Sequence, residues 1–152
     1  MNRIEACVAN SQYSNAPHLN FVVDGVPLQT RLDTVAPHRQ LAGLIPSLLD
    51  CLYDPTDRAL VWDRILPQQG NCTHAPILMC PDDCDLWCTV IIAEAYLENQ
   101  TVWWHRLGID LTRRDVRTDV GTNVEWINGI GPFAFFLSDY QRCIASFRRK
   151  DV

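Results

Sequence analysis

The chain has no run of apolar residues approaching the ~18 needed to span a bilayer. Met1 to Ser14 has neither a basic stretch followed by an apolar one nor a small-residue cleavage site. These two absences set the expectation of a cytoplasmic protein with no membrane partner. An excess of positive charge is missing too, since 13 Lys and Arg stand against 18 Asp and Glu for a net charge of -5. Sequence-independent nucleic-acid binding takes its affinity from cations that neutralise phosphates, so nucleic acid is not expected as a partner. Glycine is sparse, with seven residues scattered along the chain, and no glycine-rich loop that would cradle a phosphate occurs. Internal repeats and low-complexity segments are also lacking.

What is present suits one self-sufficient core. The chain has 152 residues, 47% of them hydrophobic and 20% charged, which is long enough for a single domain and short for two. Ile4 to Val8 reads as a strand. Asn20 to Val23, Asp24-Gly25 and Val26 to Leu28 read as a hairpin, because Asp-Gly takes the positive φ angles of a two-residue turn. Pro27 cannot donate to a ladder and so places the second arm at an edge. Leu41, Leu44, Ile45, Leu48, Leu49 and Leu52 recur at spacings of three and four, which predicts a helical stripe. Gly43 and Pro46 interrupt it, so a kink, or a turn followed by a helix with Pro46 in its first turn, is expected.

Asp54-Pro55-Thr56 reads as a turn or helix cap. Ala59 to Leu66 is a short apolar segment that fits helix or strand equally, and Pro67 to Asn71 breaks the chain. Thr89 to Leu97 and Thr101 to His105 form the longest hairpin, joined at Glu98-Asn99-Gln100. Val90 to Ala93 is apolar on both faces, which predicts a central strand. Asp110 to Asn123 mixes Arg113, Arg114 and Arg117 with Asp110, Asp115 and Asp119 and reads as a long surface connection. Val124 to Ile127 and Phe133 to Leu137 are further strands around the turn Asn128 to Pro132. Ser138-Asp139-Tyr140-Gln141 reads as a capping box. It opens a terminal helix with Tyr140, Cys143, Ile144 and Phe147 on one face, and Arg148, Arg149 and Lys150 at the negative end of its dipole. The expected fold is a single α+β domain, mainly antiparallel sheet with two or three helices including a C-terminal one.

The densest chemistry is the run Cys72, His74, Cys80, Cys84 and Cys88, which leads into Val90-Ile91-Ile92. Thiolate and imidazole ligands suit a tetrahedral zinc. The spacing departs from the paired Cys-x2-Cys knuckles of structural sites, since three residues separate Cys80 from Cys84 and Cys84 from Cys88. Metal binding, redox or disulfide chemistry, and packing of reduced thiols at a strand entry all stay open, with packing favoured. An odd count of seven cysteines and no secretory leader argue for mostly reduced thiols. On the same ground the triplets Asn71-Cys72-Thr73 and Asn99-Gln100-Thr101 read as chance matches to a glycosylation acceptor.

A Cys-His nucleophilic site would need an imidazole beside a thiol, and His18, His38, His74 and His105 carry no local signature for it. Asp82-Asp83-x-Asp85 lacks the glycine and distant glutamate of a calcium loop and reads as a solvated acidic turn. In Trp103-Trp104, strand alternation sends one ring into the core and leaves the other at the surface.

Phe21 to Leu28, Pro76 to Cys88 with Val90-Ile91-Ile92, Thr101-Val102-Trp103-Trp104, and Gly131-Pro132-Phe133-Ala134-Phe135 before the last helix occur in an order that resembles a family of small, uncharacterised bacterial proteins. That family has a DG-x-PL hairpin, a cysteine-rich turn, a TVxW strand and a GPFxF strand. Where its turn carries glycines between the cysteines, this chain has Pro81-Asp82-Asp83 and Asp85-Leu86-Trp87. Bacterial proteins of this size and acidity also resemble toxin-immunity proteins. The resemblance implies a non-enzymatic, cofactor-free protein that binds and inhibits a cognate antibacterial toxin, basic at its contact surface, through Asp82, Asp83, Asp85, Trp87 and Trp104. The alternative is a small zinc-binding or thiol-dependent protein.

Overall fold

A computed structural model describes residues 1–9, 17–113 and 115–148. The elements run β1 (Ile4–Ala9), β2 (His18–Val23), β3 (Val26–Pro27), α1 (Leu28–Val35), β4 (Ile45–Pro46), α2 (Pro55–Ile65), β5 (Cys72–Met79), β6 (Val90–Glu98), β7 (Thr101–Asp110), β8 (Val124–Trp126), β9 (Phe133–Phe136) and α3 (Leu137–Ser146). Short 3-10 turns occupy Pro37–Arg39 and Arg117–Asp119. This is the α+β architecture expected from the sequence, with mostly antiparallel strands and a C-terminal helix. No helix among the described residues is long and apolar enough to cross a membrane.

Two sheets share the core. The smaller has the order β1-β2-β3, with β3 and its Pro27 at the edge. The larger has the order β4-β5-β6-β7-β8, and β9 also pairs with β7. β8 covers Gly108 to Asp110 of that strand and β9 covers Thr101 to Trp104. β6 is the central strand, and Val90, Ile91, Ile92 and Ala93 are all fully buried. The β6-β7 hairpin closes with Glu98 opposite Thr101. Its two turn residues, Asn99 and Gln100, have φ of 53° and 65°, the left-handed pair that matches the twist of the strands. Phe21 of β2 meets Trp104 of β7 edge-on with ring centroids 6.0 Å apart, which joins the two sheets. The Asn2 backbone N–H, 2.7 Å from the Ala134 carbonyl, ties the chain start to β9.

The segment from Leu41 to Leu52 corrects the sequence reading. It contains no helix, although Leu41, Leu44, Ile45, Leu48, Leu49 and Leu52 are all buried. Ile45 and Pro46 pair with Met79 and Leu78 of β5, and turns follow one another on either side. Backbone bonds run from Leu44 N to Leu41 O, Leu49 N to Pro46 O, and Leu52 N to Leu49 O. Successive three-residue turns place apolar residues three and four apart, as a helix does, so the pattern reported burial correctly and the backbone wrongly. Ser47 satisfies the interior of this loop. Its N–H donates to the Ile77 carbonyl, and its hydroxyl donates to the Pro76 carbonyl at 2.7 Å, where β5 bulges.

α2 resolves the ambiguous stretch Ala59 to Leu66 as helix. Asp54 caps it, accepting from Asp57 N at 3.0 Å, with Pro55 just inside the start. α1 was not anticipated at all; the hairpin arm read as Val26 to Leu28 ends at Pro27 and becomes helix. The proposed capping box at Ser138 is also corrected. α3 begins at Leu137 with Phe136 as its N-cap and no side-chain cap. The Leu137 N–H is already taken by the Gln100 carbonyl at 2.9 Å, so the helix starts directly off β9. Its buried face carries Tyr140, Cys143 and Phe147 as expected. At its end the Arg148 guanidinium lies 3.9 Å over the Trp62 ring, while Arg149 and Lys150, like Arg114, lie outside the described residues.

Candidate functional site

The acidic cysteine turn between β5 and β6 projects from the end of the sheet. Asp82 and Asp83 are exposed, Asp85 is half-buried, and Leu86 tucks into the core beneath them. Asp85 Oδ1 accepts from the Trp87 backbone N–H at 3.0 Å and so shapes the outer half of the turn. Trp87 is 45% exposed, and the Arg117 guanidinium lies 5.4 Å from its ring centroid. Trp104 does not belong to this surface. Its side chain has no solvent exposure and is ringed edge-on by Phe21, Phe135 and Tyr140, so the expectation that it faces a partner is withdrawn. Alternation sends Trp104 inward and leaves Trp103 half-buried, with its ring stacked on His105.

Arg117 links the turn to α2. Its Nη1 is 2.8 Å from Asp57 Oδ2 and 3.4 Å from Asp54 Oδ2. Asp57 is almost wholly buried, so the guanidinium compensates a carboxylate that burial alone would penalise. In return the Asp57 carboxylate, followed by the charges of Asp57, Asp54 and Tyr53, holds Arg117 above its ordinary value. Around this anchor three apolar side chains stand in solvent: Tyr53 at 72% exposure, Val116 at 54%, and Trp87. Tyr53 and Val116 were not singled out from the sequence. Each lies in a separate connection, and only the fold brings them beside Arg117.

The candidate zinc set Cys72, His74, Cys80, Cys84 and Cys88 is dispersed. Among the described residues, no three His, Cys, Asp or Glu side chains are grouped so as to hold a metal ion. Cys72 sits exposed at the start of β5, and burial followed by the nearby Glu94 charge pushes its thiol up. His74 Nδ1 lies 2.8 Å from the Gly121 carbonyl and Nε2 lies 3.2 Å from Glu94 Oε2, so both ring nitrogens face acceptors. Glu94 also receives a two-pronged bond from Arg106, with Nε to Oε1 at 3.1 Å and Nη2 to Oε2 at 3.0 Å. The Arg106 bonds first, and then His74, hold the Glu94 carboxyl below its ordinary range against the effect of its own burial. Trp126 completes this network, with Arg106 4.1 Å over its ring and His74 edge-on at 5.4 Å. A bulge makes the arrangement, because β6 advances from Ala93 to Ala95 while β7 advances from Leu107 to Trp104.

The remaining cysteines of the turn are arranged in pairs. Cys84 is the hydrogen-bonding neighbour of Cys51, and Cys88 is that of Cys80. Cys80 Sγ additionally accepts from the Thr89 backbone N–H at 3.2 Å. The long connection after β7 is pinned by Asp110, whose Oδ1 accepts from Thr112 N, Thr112 Oγ1 and Gly121 N. Arg64 of α2 reaches the same connection, donating to the Val120 carbonyl at 2.5 Å and the Thr118 carbonyl at 2.7 Å. Together these bonds define the molecule as a single α+β domain carrying an acidic, aromatic-edged turn on a braced frame. Compared with protein families, curated proteins and solved structures, the chain matches none.

Proposed function

We propose that the protein is a non-enzymatic, immunity-type inhibitor that binds a cognate antibacterial toxin through the acidic turn. The observation that carries this reading is the exposed group Trp87, Tyr53 and Val116 gathered around Arg117 beside Asp82, Asp83 and Asp85. Aromatic side chains presented at a surface and edged by charge are what protein interfaces use as anchors. Because Asp54 and Asp57 already engage Arg117, the free charge on this surface is that of the turn. A basic contact surface on the toxin complements it, and such complementarity raises the encounter rate and selects the partner.

The test is co-expression with the toxin encoded beside this gene, followed by affinity capture and growth rescue. The expected result is a stable complex, rescue of growth, and an association rate that falls at least tenfold at low salt when Asp82, Asp83 and Asp85 are all changed to Asn. A folded protein that neither captures the toxin nor restores growth would sink the reading. A complex that forms with an unchanged rate in the triple variant would move the interface elsewhere.

A further inference from the structure

We propose that the acidic turn is a disulfide-forming site, in which Cys80 pairs with Cys88 and Cys51 pairs with Cys84. The β5-β6 ladder ends with Met79 opposite Val90, which puts Cys80 and Thr89 at its mouth and Cys88 one residue beyond. Each pair combines a half-buried sulfur with one on an exposed residue, Cys80 with Cys88 and Cys84 with Cys51. The convergence is pairwise only, because no three such ligands meet among the described residues. Two thiols side by side suit a cross-link and fall short of a closed tetrahedral metal site.

The backbone at Cys84 adds an independent sign. Its φ of 47° is left-handed, a region where a residue with a Cβ persists only if its surroundings hold it. The surroundings shown are a bond from Cys84 N to the Cys80 carbonyl, one from its own Sγ to the Pro81 carbonyl at 3.3 Å, and the Cys51 thiol. A Cys51–Cys84 bridge would fix the apex of the turn to the buried loop that ends at Leu52. A Cys80–Cys88 bridge would close its base.

The oxidant is a low-molecular-weight disulfide such as glutathione disulfide, and the step is thiol–disulfide exchange. Cys88, on an exposed residue, attacks as its thiolate, forming a mixed disulfide and releasing one glutathione thiolate. Cys80 then attacks the Cys88 sulfur, breaking the mixed disulfide and releasing the second. The two protons lost by the cysteines end on the two glutathione thiols, and two electrons pass from the protein to glutathione disulfide. The Thr89 N–H that already donates to Cys80 Sγ stabilises the attacking thiolate. Burial, and then the neighbouring Cys88 thiol, push Cys80 up to about 11, and closing the bridge removes both penalties. The same exchange serves Cys51 and Cys84.

The reduced full-length protein is incubated with glutathione disulfide, free thiols are blocked and counted after unfolding, and linked peptides are mapped by mass. The expected loss is four of the seven thiols, with Cys7, Cys72 and Cys143 remaining. Cleavage at Asp82, Asp83 and Asp85 should leave Cys80 and Cys88 on joined fragments. Cleavage at Arg58 and Arg64 should leave Cys51 joined to the fragment that holds Cys84. The Cys51→Ser/Cys84→Ser variant should lose two thiols only. Seven thiols after treatment, stable glutathione adducts, or links that run through Cys72 would overturn the proposal. The toxin-binding reading is untouched by any of these results, because no partner enters the experiment.

Discussion

Arg117 holds its guanidinium 5.4 Å from the centroid of the Trp87 ring while one of its nitrogens bonds the buried Asp57 carboxylate. One cation thus positions a surface aromatic from below and compensates an interior charge. The same side chain joins the candidate contact surface to the N-terminus of α2, so the surface is braced by the frame.

This arrangement predicts a separation between stability and binding at Trp87. The ring is 45% exposed, and surface substitutions that leave cores and caps intact stay within about 0.5 kcal/mol. Trp87→Ala should therefore unfold in urea close to the parent midpoint. If Trp87 anchors the partner, the same variant should lose at least tenfold in affinity, about 1.4 kcal/mol or more. Calorimetric titration of the toxin beside a urea curve reads both quantities. Parental affinity in a folded variant would remove Trp87 from the interface.

A second prediction concerns acid. Arg106 and His74 depress the Glu94 carboxyl below the 4.5 of a free side chain. A group depressed in the folded state contributes stability that is fully present above its unfolded value and is lost as pH falls through its folded one. The contribution should therefore be intact at neutral pH and fade below about 4.5, the unfolded reference. Glu94→Gln removes the titration, so its urea midpoint at pH 7 should drop below the parent's, while the gap between the two proteins should narrow toward pH 3. Melting curves at the two pH values check this, and a gap that stays constant or widens in acid contradicts it.

The elements that a local pattern determines were legible in the sequence, and those that the tertiary fold determines were not. The β6-β7 hairpin follows from alternation and a short polar turn, and the central place of β6 follows from four consecutive apolar residues. α1 escaped notice because only Leu28, Gln29 and Leu32 of its eight residues are buried, too few to show a helical period. The leucine-rich loop before α2 showed a period that belongs to chained turns. At the candidate surface, Asp82, Asp83, Asp85 and Trp87 are close in sequence and could be picked out together. Tyr53, Val116 and Arg117 come from other connections and have no shared local signal. Trp103 and Trp104 illustrate the limit well, since alternation says that one goes inside and only the pairing with Ala95 and Phe133 says which.

The core offers a sharper energetic test at Tyr140. Its hydroxyl donates to the Ile65 carbonyl at 2.5 Å and accepts from Trp104 Nε1 at 3.3 Å, entirely away from water. Burial accordingly pushes the phenol well above its usual value of 10. Tyr140→Phe keeps the ring and leaves two buried polar groups without this partner, which costs about 1–3 kcal/mol. Urea unfolding with an unchanged slope should show that loss. A change under about 0.5 kcal/mol, the range of surface substitutions, would mean that water or backbone movement satisfies both groups.

Gly108 decides whether β8 can pair at all. A Cβ placed there would stand 2.5 Å from the Glu125 carbonyl oxygen and 2.6 Å from Val124 Cγ1, both nearer than packed atoms approach. The close neighbour is strand backbone, so relief requires β8 itself to move, and it is held by only three register pairs, Gly108 with Trp126, Ile109 with Glu125 and Asp110 with Val124. An ion pair from Arg39 to Glu125 and the Arg106 cation over Trp126 resist that movement. Gly108→Ala should therefore destabilise the protein by roughly 1–3 kcal/mol, the usual cost of overpacking. The damage should be local: amide exchange should quicken at 124–127, and the Trp126 emission should shift to the red as its ring leaves Arg106 and His74, while β5 and β6 keep their protection. If the variant melts with the parent and its exchange pattern is unchanged, the close approach of β8 to Gly108 is not what fixes the edge of the sheet.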